Sequence, residues 1–202
     1  MIGPWAIVPP EYDVNLCSSP GTTSMAMTFE HAAKQPAKTA PLLIALAGAL
    51  TLIGAWIFQY GFGIQPCPLC LEQRIAYYFA IPLACLLAAG VTFGASRKVL
   101  VAGFVVIAAG MLWNAGIGAY HSGVEWGFWQ GPQDCSGPIN DLGGAGGLLK
   151  KIESIRIVRC DEVQWRFLGL SLAGYNVLIS LALAAIALWG ARGAYRMARD
   201  PD

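Results

Sequence analysis

From Pro41 to Tyr60 the chain reads PLLIALAGALTLIGAWIFQY, a run without one charged residue. At a helical rise of about 1.5 Å per residue, such a run matches the roughly 30 Å of hydrocarbon in a bilayer, which leaves few folds open to it. Three further runs are alike. Ile75 to Gly94 is charge-free and interrupted only by Pro82, which membrane helices tolerate. Val99 to Tyr120 carries Trp113, Asn114 and several glycines that permit close helix packing, and Phe167 to Trp189 follows a long polar region. No fixed-period repeat is present. The reading is an all-α integral membrane protein, a four-transmembrane-helix bundle of two hairpins, with spans at about 41–60, 75–94, 99–120 and 167–189. The connecting loops on the outer side are 61–74 and 121–166.

Composition agrees: 56% of the 202 residues are hydrophobic and only 12% charged. With a net charge of +1 and no basic run, nothing supports nucleic-acid binding. Residues 1–40 mix Pro9-Pro10, Pro20-Gly21 and Ser/Thr clusters, without the basic and apolar regions of a cleavable signal peptide. They read as a disordered cytoplasmic extension, with Cys17 an incidental thiol; 191–202 read as a basic cytoplasmic tail. Lys34, Lys38, Arg97, Lys98, Arg192, Arg196 and Arg199 all flank the spans on one side. Positive residues stay in the cytoplasm, so both termini belong there. Cys67, Cys70, Cys135 and Cys160 then lie outside, which in a bacterium is the oxidising periplasm.

Between the first two spans stands Gln65-Pro66-Cys67-Pro68-Leu69-Cys70-Leu71-Glu72-Gln73-Arg74. A Cys-x-x-Cys pair can close a disulfide, bind a soft metal or anchor a haem. Haem attachment needs a His directly after the second Cys, and Leu71 occupies that place. Arg74 falls one helical turn beyond Cys70, on the same face, where a guanidinium stabilises a thiolate or an electron-rich ligand. Cys70 at or near the start of a helix also meets unpaired N–H groups and the positive end of the dipole, which favour its thiolate. Cys85 sits mid-helix, where a thiol acts as a small apolar side chain with no redox role.

In the outer loop, Trp126, Phe128 and Trp129 form an interfacial aromatic belt. Gly143-Gly144-Ala145-Gly146-Gly147 has the composition of a hinge, or of simple turns. From Leu148 to Arg159, Leu148, Leu149, Ile152 and Ile155 share one helical face, as in a short amphipathic helix on the membrane surface. Cys135 and Cys160 flank this region, and a hinge would let them separate.

Two outer cysteine pairs beside four spans suggest a thiol–disulfide relay, and the membrane suggests a lipid-soluble electron acceptor. Here the residues resemble a known family, the bacterial membrane disulfide-forming protein DsbB. The resemblance rests on Cys67-Pro68-Leu69-Cys70 with Gln73-Arg74, and on Cys160-Asp161-Glu162-Val163-Gln164-Trp165-Arg166-Phe167-Leu168-Gly169-Leu170-Ser171. It covers about residues 41–190. It implies a quinone-dependent, protein-disulfide-generating oxidoreductase of the inner membrane. By that resemblance, Cys135 and Cys160 form a loop disulfide that accepts electrons from a reduced, thioredoxin-like periplasmic partner of DsbA type. Cys135 takes the mixed disulfide, Cys160 exchanges with Cys67, and Cys70 donates as thiolate to ubiquinone or menaquinone. Arg74 matches the family's arginine beside the quinone. His121, at the outer end of the third span, is a candidate quinone contact or an ordinary interfacial histidine. Structural anchoring accounts for Glu162 and Trp165.

Three readings compete. Cys67, Cys70, Cys135 and Cys160 as four thiolate ligands of zinc is disfavoured by the 24 residues between the second pair and by the oxidising compartment. A structural membrane protein with inert outer disulfides leaves the Cys70/Arg74 spacing without a purpose. A reductase of the vitamin K epoxide type places its cysteine pair near the end of a late helix, unlike the order here.

Overall fold

The computed structural model describes residues 35–131, 160–161, 163 and 165–197. Residues 1–34 of the expected N-terminal extension with Cys17, Cys135, the glycine-rich stretch 143–147, the expected surface helix at 148–159 and Glu162 lie outside the described residues.

Four long helices follow one another: α1 (Pro36–Trp56), α2 (Pro68–Thr92), α3 (Arg97–Glu125) and α4 (Leu172–Arg196). Each is long and apolar enough to cross a membrane. α1 ends in a π-helical turn, Ile57–Gly61. Before α4 stands a hairpin of two short strands, β1 (Arg166–Phe167) and β2 (Leu170–Ser171), paired antiparallel. Large apolar side chains such as Leu42, Leu46, Phe79, Leu86, Val106 and Trp113 face outward, as suits a lipid solvent. The chain is a multi-pass membrane protein.

The helices close into a ring, each packed on the two beside it, with α4 returning to α1. Lipid offers no hydrophobic drive between helices, so close backbone approach at small residues does the work. A Cβ at Gly190 would stand 2.7 Å from both the Ala40 Cβ and the Phe104 ring, and one at Gly118 would stand 2.9 Å from Val177. Ile44, Phe104, Met111 and Leu183 fill the space between. At the opposite end from the hairpin, the Arg97 guanidinium lies 5.0 Å over the Tyr195 ring, tying the start of α3 to the end of α4.

Several helix ends differ from the apolar runs: α1 already begins at Pro36, within the expected extension, and α4 runs on to Arg196, into the expected tail. α2 begins at Pro68 rather than Ile75, because Cys67 caps it and Pro68, with its preset φ, opens the first turn. α3 continues past Tyr120 to Glu125, which takes His121 from the helix end into its last turns. α4 starts at Leu172, later than Phe167, because residues 166–171 turn back on themselves. Leu168 and Gly169 have φ of 50° and 84°, the positive pair that a tight two-residue hairpin requires. The Ser171 hydroxyl then accepts from the Gly174 N–H at 3.2 Å and caps the helix.

Candidate functional site

Cys67 sits in an extended conformation just before α2, and its Sγ accepts a hydrogen bond from the Cys70 backbone N–H at 3.3 Å. The sulfur is thus the cap of the helix whose first turn carries Cys70. The same turn brings the two sulfurs to 2.8 Å, close enough for oxidation to join them in a disulfide. Cys67 is buried and Cys70 half-buried. The hydrogen bond that the Cys67 thiol donates to the Cys70 sulfur, followed by burial, pushes the Cys67 thiol up to about 12, against a smaller opposing effect of His121.

His121 enters from α3. Its Nε2 lies 3.6 Å from Cys67 Sγ, and its Nδ1 lies 2.9 Å from Gln73 Nε2 on α2. Gln73 Oε1 accepts from Asn176 Nδ2 at 2.6 Å, and Asn176 Oδ1 accepts from the Tyr77 hydroxyl at 2.6 Å. Asn114 Nδ2 donates to Ser180 Oγ at 2.9 Å, and that oxygen lies 3.4 Å from the Tyr77 hydroxyl. A polar chain therefore runs from the middle of the bundle to the sulfur pair, using α2, α3 and α4. Buried polar groups in a membrane are tolerated when they find partners, and such a chain fixes the ring of His121, with Asn114 Oδ1 left without a hydrogen-bond partner among the described residues. Glu125, one turn beyond, brings Oε1 to 3.8 Å from His121 Nε2.

Arg74 faces the other way. Its Nη1 donates to Gln59 Oε1 at 2.6 Å and its Nη2 to the Ala55 carbonyl at 3.5 Å, both at the end of α1. The π-helical turn there, a distortion frequent at functional sites, holds Gln59. Between Arg74 and the sulfurs opens a cavity of about 430 Å³, lined by Cys67, Cys70, Gln73, Arg74, His121 and Glu125 among largely apolar walls. Leu50, Ala55, Leu172 and Ile179 form part of those walls, and Trp165 stands among them. The Trp165 ring lies 5.1 Å from Phe58 and stacks on Phe167 at 5.7 Å. Apolar walls with a few convergent polar groups suit a flat, weakly polar ligand.

Of the expected site residues, Cys67, Cys70, Arg74 and His121 thus meet around one cavity. Cys160 packs beside Gly131, beyond the end of α3, within electrostatic range of Cys70. Cys135 lies outside the described residues, and the four-thiolate zinc set with it. Cys85 faces outward from α2, away from the pair. His121 is 3% exposed, buried inside the bundle rather than standing on its surface. Trp165 lines the cavity besides anchoring the hairpin. Glu125 and Asn176 escape a reading by motif. The available signal was polar side chains within or at the end of apolar helices, which membranes rarely admit without a task.

The sequence pattern of disulfide bond formation protein DsbB matches residues 37–190. The chain belongs to the DsbB family. A disulfide bond formation protein B of Xanthomonas oryzae is 32% identical over 164 residues, covering 79% of this chain and 91% of that one. Its counterpart in Xanthomonas euvesicatoria is 34% identical over 153 residues, covering 73% and 86%. One from a Psychrobacter species is 27% identical over 158 residues, covering 72% and 86%. No solved structure matches the chain. As a DsbB family member it is a disulfide-forming membrane oxidoreductase, and the sulfur pair at the head of α2 sits where such chemistry is feasible.

Proposed function

We propose that the protein reoxidises a periplasmic dithiol oxidase of DsbA type and passes the electrons through two cysteine pairs to a quinone of the inner membrane. The observation that carries the reading is that Cys67 and Cys70 open directly into an apolar cavity with Arg74 on its wall. A quinone head is flat and mostly apolar with a carbonyl at each end, and this donor set fits it. When bound, a quinone supplies an acceptor for two electrons and two protons.

The residues then divide the work. The partner's thiolate attacks Cys135 and frees Cys160, and the partner's second thiol then releases Cys135 as the partner leaves oxidised. Cys160 attacks Cys67 of a Cys67–Cys70 disulfide and frees Cys70, and Cys135 attacks Cys160, which regenerates the outer disulfide and frees Cys67. The thiolate is the nucleophile in each exchange. Cys70, the leaving sulfur, is the electron donor to the acceptor in the cavity. Arg74 is held by Gln59 and Ala55, so its positive charge is already oriented toward the cavity and favours negative charge on Cys70 and on an acceptor oxygen. His121 positions Cys67 and meets the ligand's other polar edge. Trp165 and Phe58 keep water from the cavity. Both termini are cytoplasmic in this reading, supported by Arg97, Lys98, Arg192 and Arg196 near the end of the bundle remote from the sulfurs.

The test is quinone reduction by the purified protein in detergent, with a reduced DsbA-type protein as donor and quinone absorbance followed in time. Ubiquinone and menaquinone are compared side by side. Turnover that disappears in Cys70→Ser supports the reading; no turnover with either quinone overturns it.

A further inference from the structure

We propose that the reduced protein binds one zinc(II) ion through Cys67, Cys70, His121 and Glu125, and that the metal holds both sulfurs against oxidation. The ligand atoms of Cys67, Cys70 and His121 lie within 4.8 Å of one another. Zinc bonds of about 2.3 Å to sulfur and 2.0–2.1 Å to nitrogen, at a tetrahedral angle, set the two atoms roughly 3.5 Å apart. Cys67 Sγ and His121 Nε2 are 3.6 Å apart. The two sulfurs, at 2.8 Å, must open by about 1 Å to span a tetrahedral edge. Cys67 stands outside the first helical turn and Cys70 within it, so rotation about the Cys side chains supplies that opening. Two-residue spacing is a common zinc chelate.

Glu125 is the independent observation. Its side chain is 6% exposed and lines the same cavity, with Oε1 3.8 Å from His121 Nε2. Its Oε2 is buried with no hydrogen-bond partner among the described residues. A carboxylate so placed wants a cation; Glu125 stands outside the 4.8 Å cluster of the other three donors, and a turn of its side chain must carry an oxygen toward an ion beside the sulfurs.

The surrounding chain accommodates the metal. Zinc on Nε2 requires the proton on Nδ1, which then needs an acceptor. Gln73 can present Oε1 there if its amide turns, with Asn176 turning alongside it. The Tyr77 and Ser180 hydroxyls both donate and accept, so their bonds survive in either sense, and only the long 3.5 Å bond from Asn114 Nδ2 to Asn176 Oδ1 is given up. On binding, two S–H bonds break, two Zn–S bonds form and two protons leave to water. No electron moves. The site needs only the reduced sulfur pair and goes beyond the quinone reading.

The experiment uses the full chain in detergent, reduced with a phosphine, stripped with chelator, and titrated with cobalt(II) and then zinc(II). Expected are one cobalt per chain with thiolate charge-transfer and tetrahedral d–d bands, displacement by zinc, and about two protons released per zinc. X-ray absorption of the zinc complex should show two sulfur and two nitrogen or oxygen ligands. The oxidised protein should bind none, and Glu125→Gln should weaken zinc by about tenfold or more. No binding by the reduced protein, four sulfurs around the metal, or unchanged affinity in both Glu125→Gln and His121→Ala would overturn the site. Metal-free quinone turnover, measured on the same sample, separates the two readings. An active enzyme indifferent to zinc loses only the metal site, and zinc binding without turnover loses only the quinone relay.

Discussion

Gln73 Nε2 and His121 Nδ1 meet at 2.9 Å, joining the helix that carries the sulfur pair to the helix beside it. Gln73 is one residue from Arg74, yet the two side chains serve opposite walls. The consecutive positions point about 100° apart on the helix, so one motif supplies both the cavity's cation and the support for the histidine.

Gln73→Leu removes the partner of His121 and also leaves the Asn176 amide without its acceptor. A buried polar group left unmatched costs on the order of 1–3 kcal/mol. Thermal unfolding in detergent should show the loss. Quinone turnover should fall as well, because His121 is then free to leave Cys67.

Arg74→Lys keeps the charge and loses the two-pronged hold on Gln59 and Ala55. Hydrogen bonds to charged groups contribute about 1.5–3 kcal/mol, so the quinone KM should rise by roughly one to two orders of magnitude. Steady-state kinetics with varied quinone measures it. Little change in KM would show that the fork does not orient the charge.

The raised Cys67 thiol has a defined pH signature. Its value of about 12, against 9.0 for an ordinary cysteine, means the folded reduced protein holds this proton more tightly than the unfolded chain does. The resulting stability is fully present below pH 9 and is lost as pH rises from there toward 12. Denaturation of the reduced protein should therefore ease above pH 9, and Cys67→Ser should remove that part of the slope. Alkylation at Cys67 should be slow at neutral pH and quicken across the same range.

Gly190→Ala inserts a methyl group 2.7 Å from Ala40 and from Phe104, where two helices meet. Overpacking of this kind costs about 1–3 kcal/mol. Gly110→Ala meets nothing within 4 Å and serves as the control, with an effect within about 0.5 kcal/mol. Unfolding of both variants in mixed micelles should separate them.

The four spans were legible because charge-free runs of that length have almost no alternative to crossing a bilayer. The sulfur pair and Arg74 were legible because local spacing fixes them on one helical turn. Glu125 and Asn176 were not, since their meaning comes from neighbours on other helices that no local spacing specifies. His121 fell between these cases. Its position near a helix end suggested an interface, and only the extra turn of α3 to Glu125 draws it inside. The start of α4 was hidden for a different reason: Phe167 to Ser171 is apolar enough to read as membrane, and the positive φ of Leu168 overrides that pattern.

Cys67 Sγ is both a reacting atom and the acceptor that ends α2. A thiol sulfur and a disulfide sulfur both keep two lone pairs, but a new bond changes their direction and basicity, so the strength of the first hydrogen bond of α2 follows the bonding state of one atom. Amide exchange at Cys70 becomes a clock on the redox cycle, readable without any chromophore.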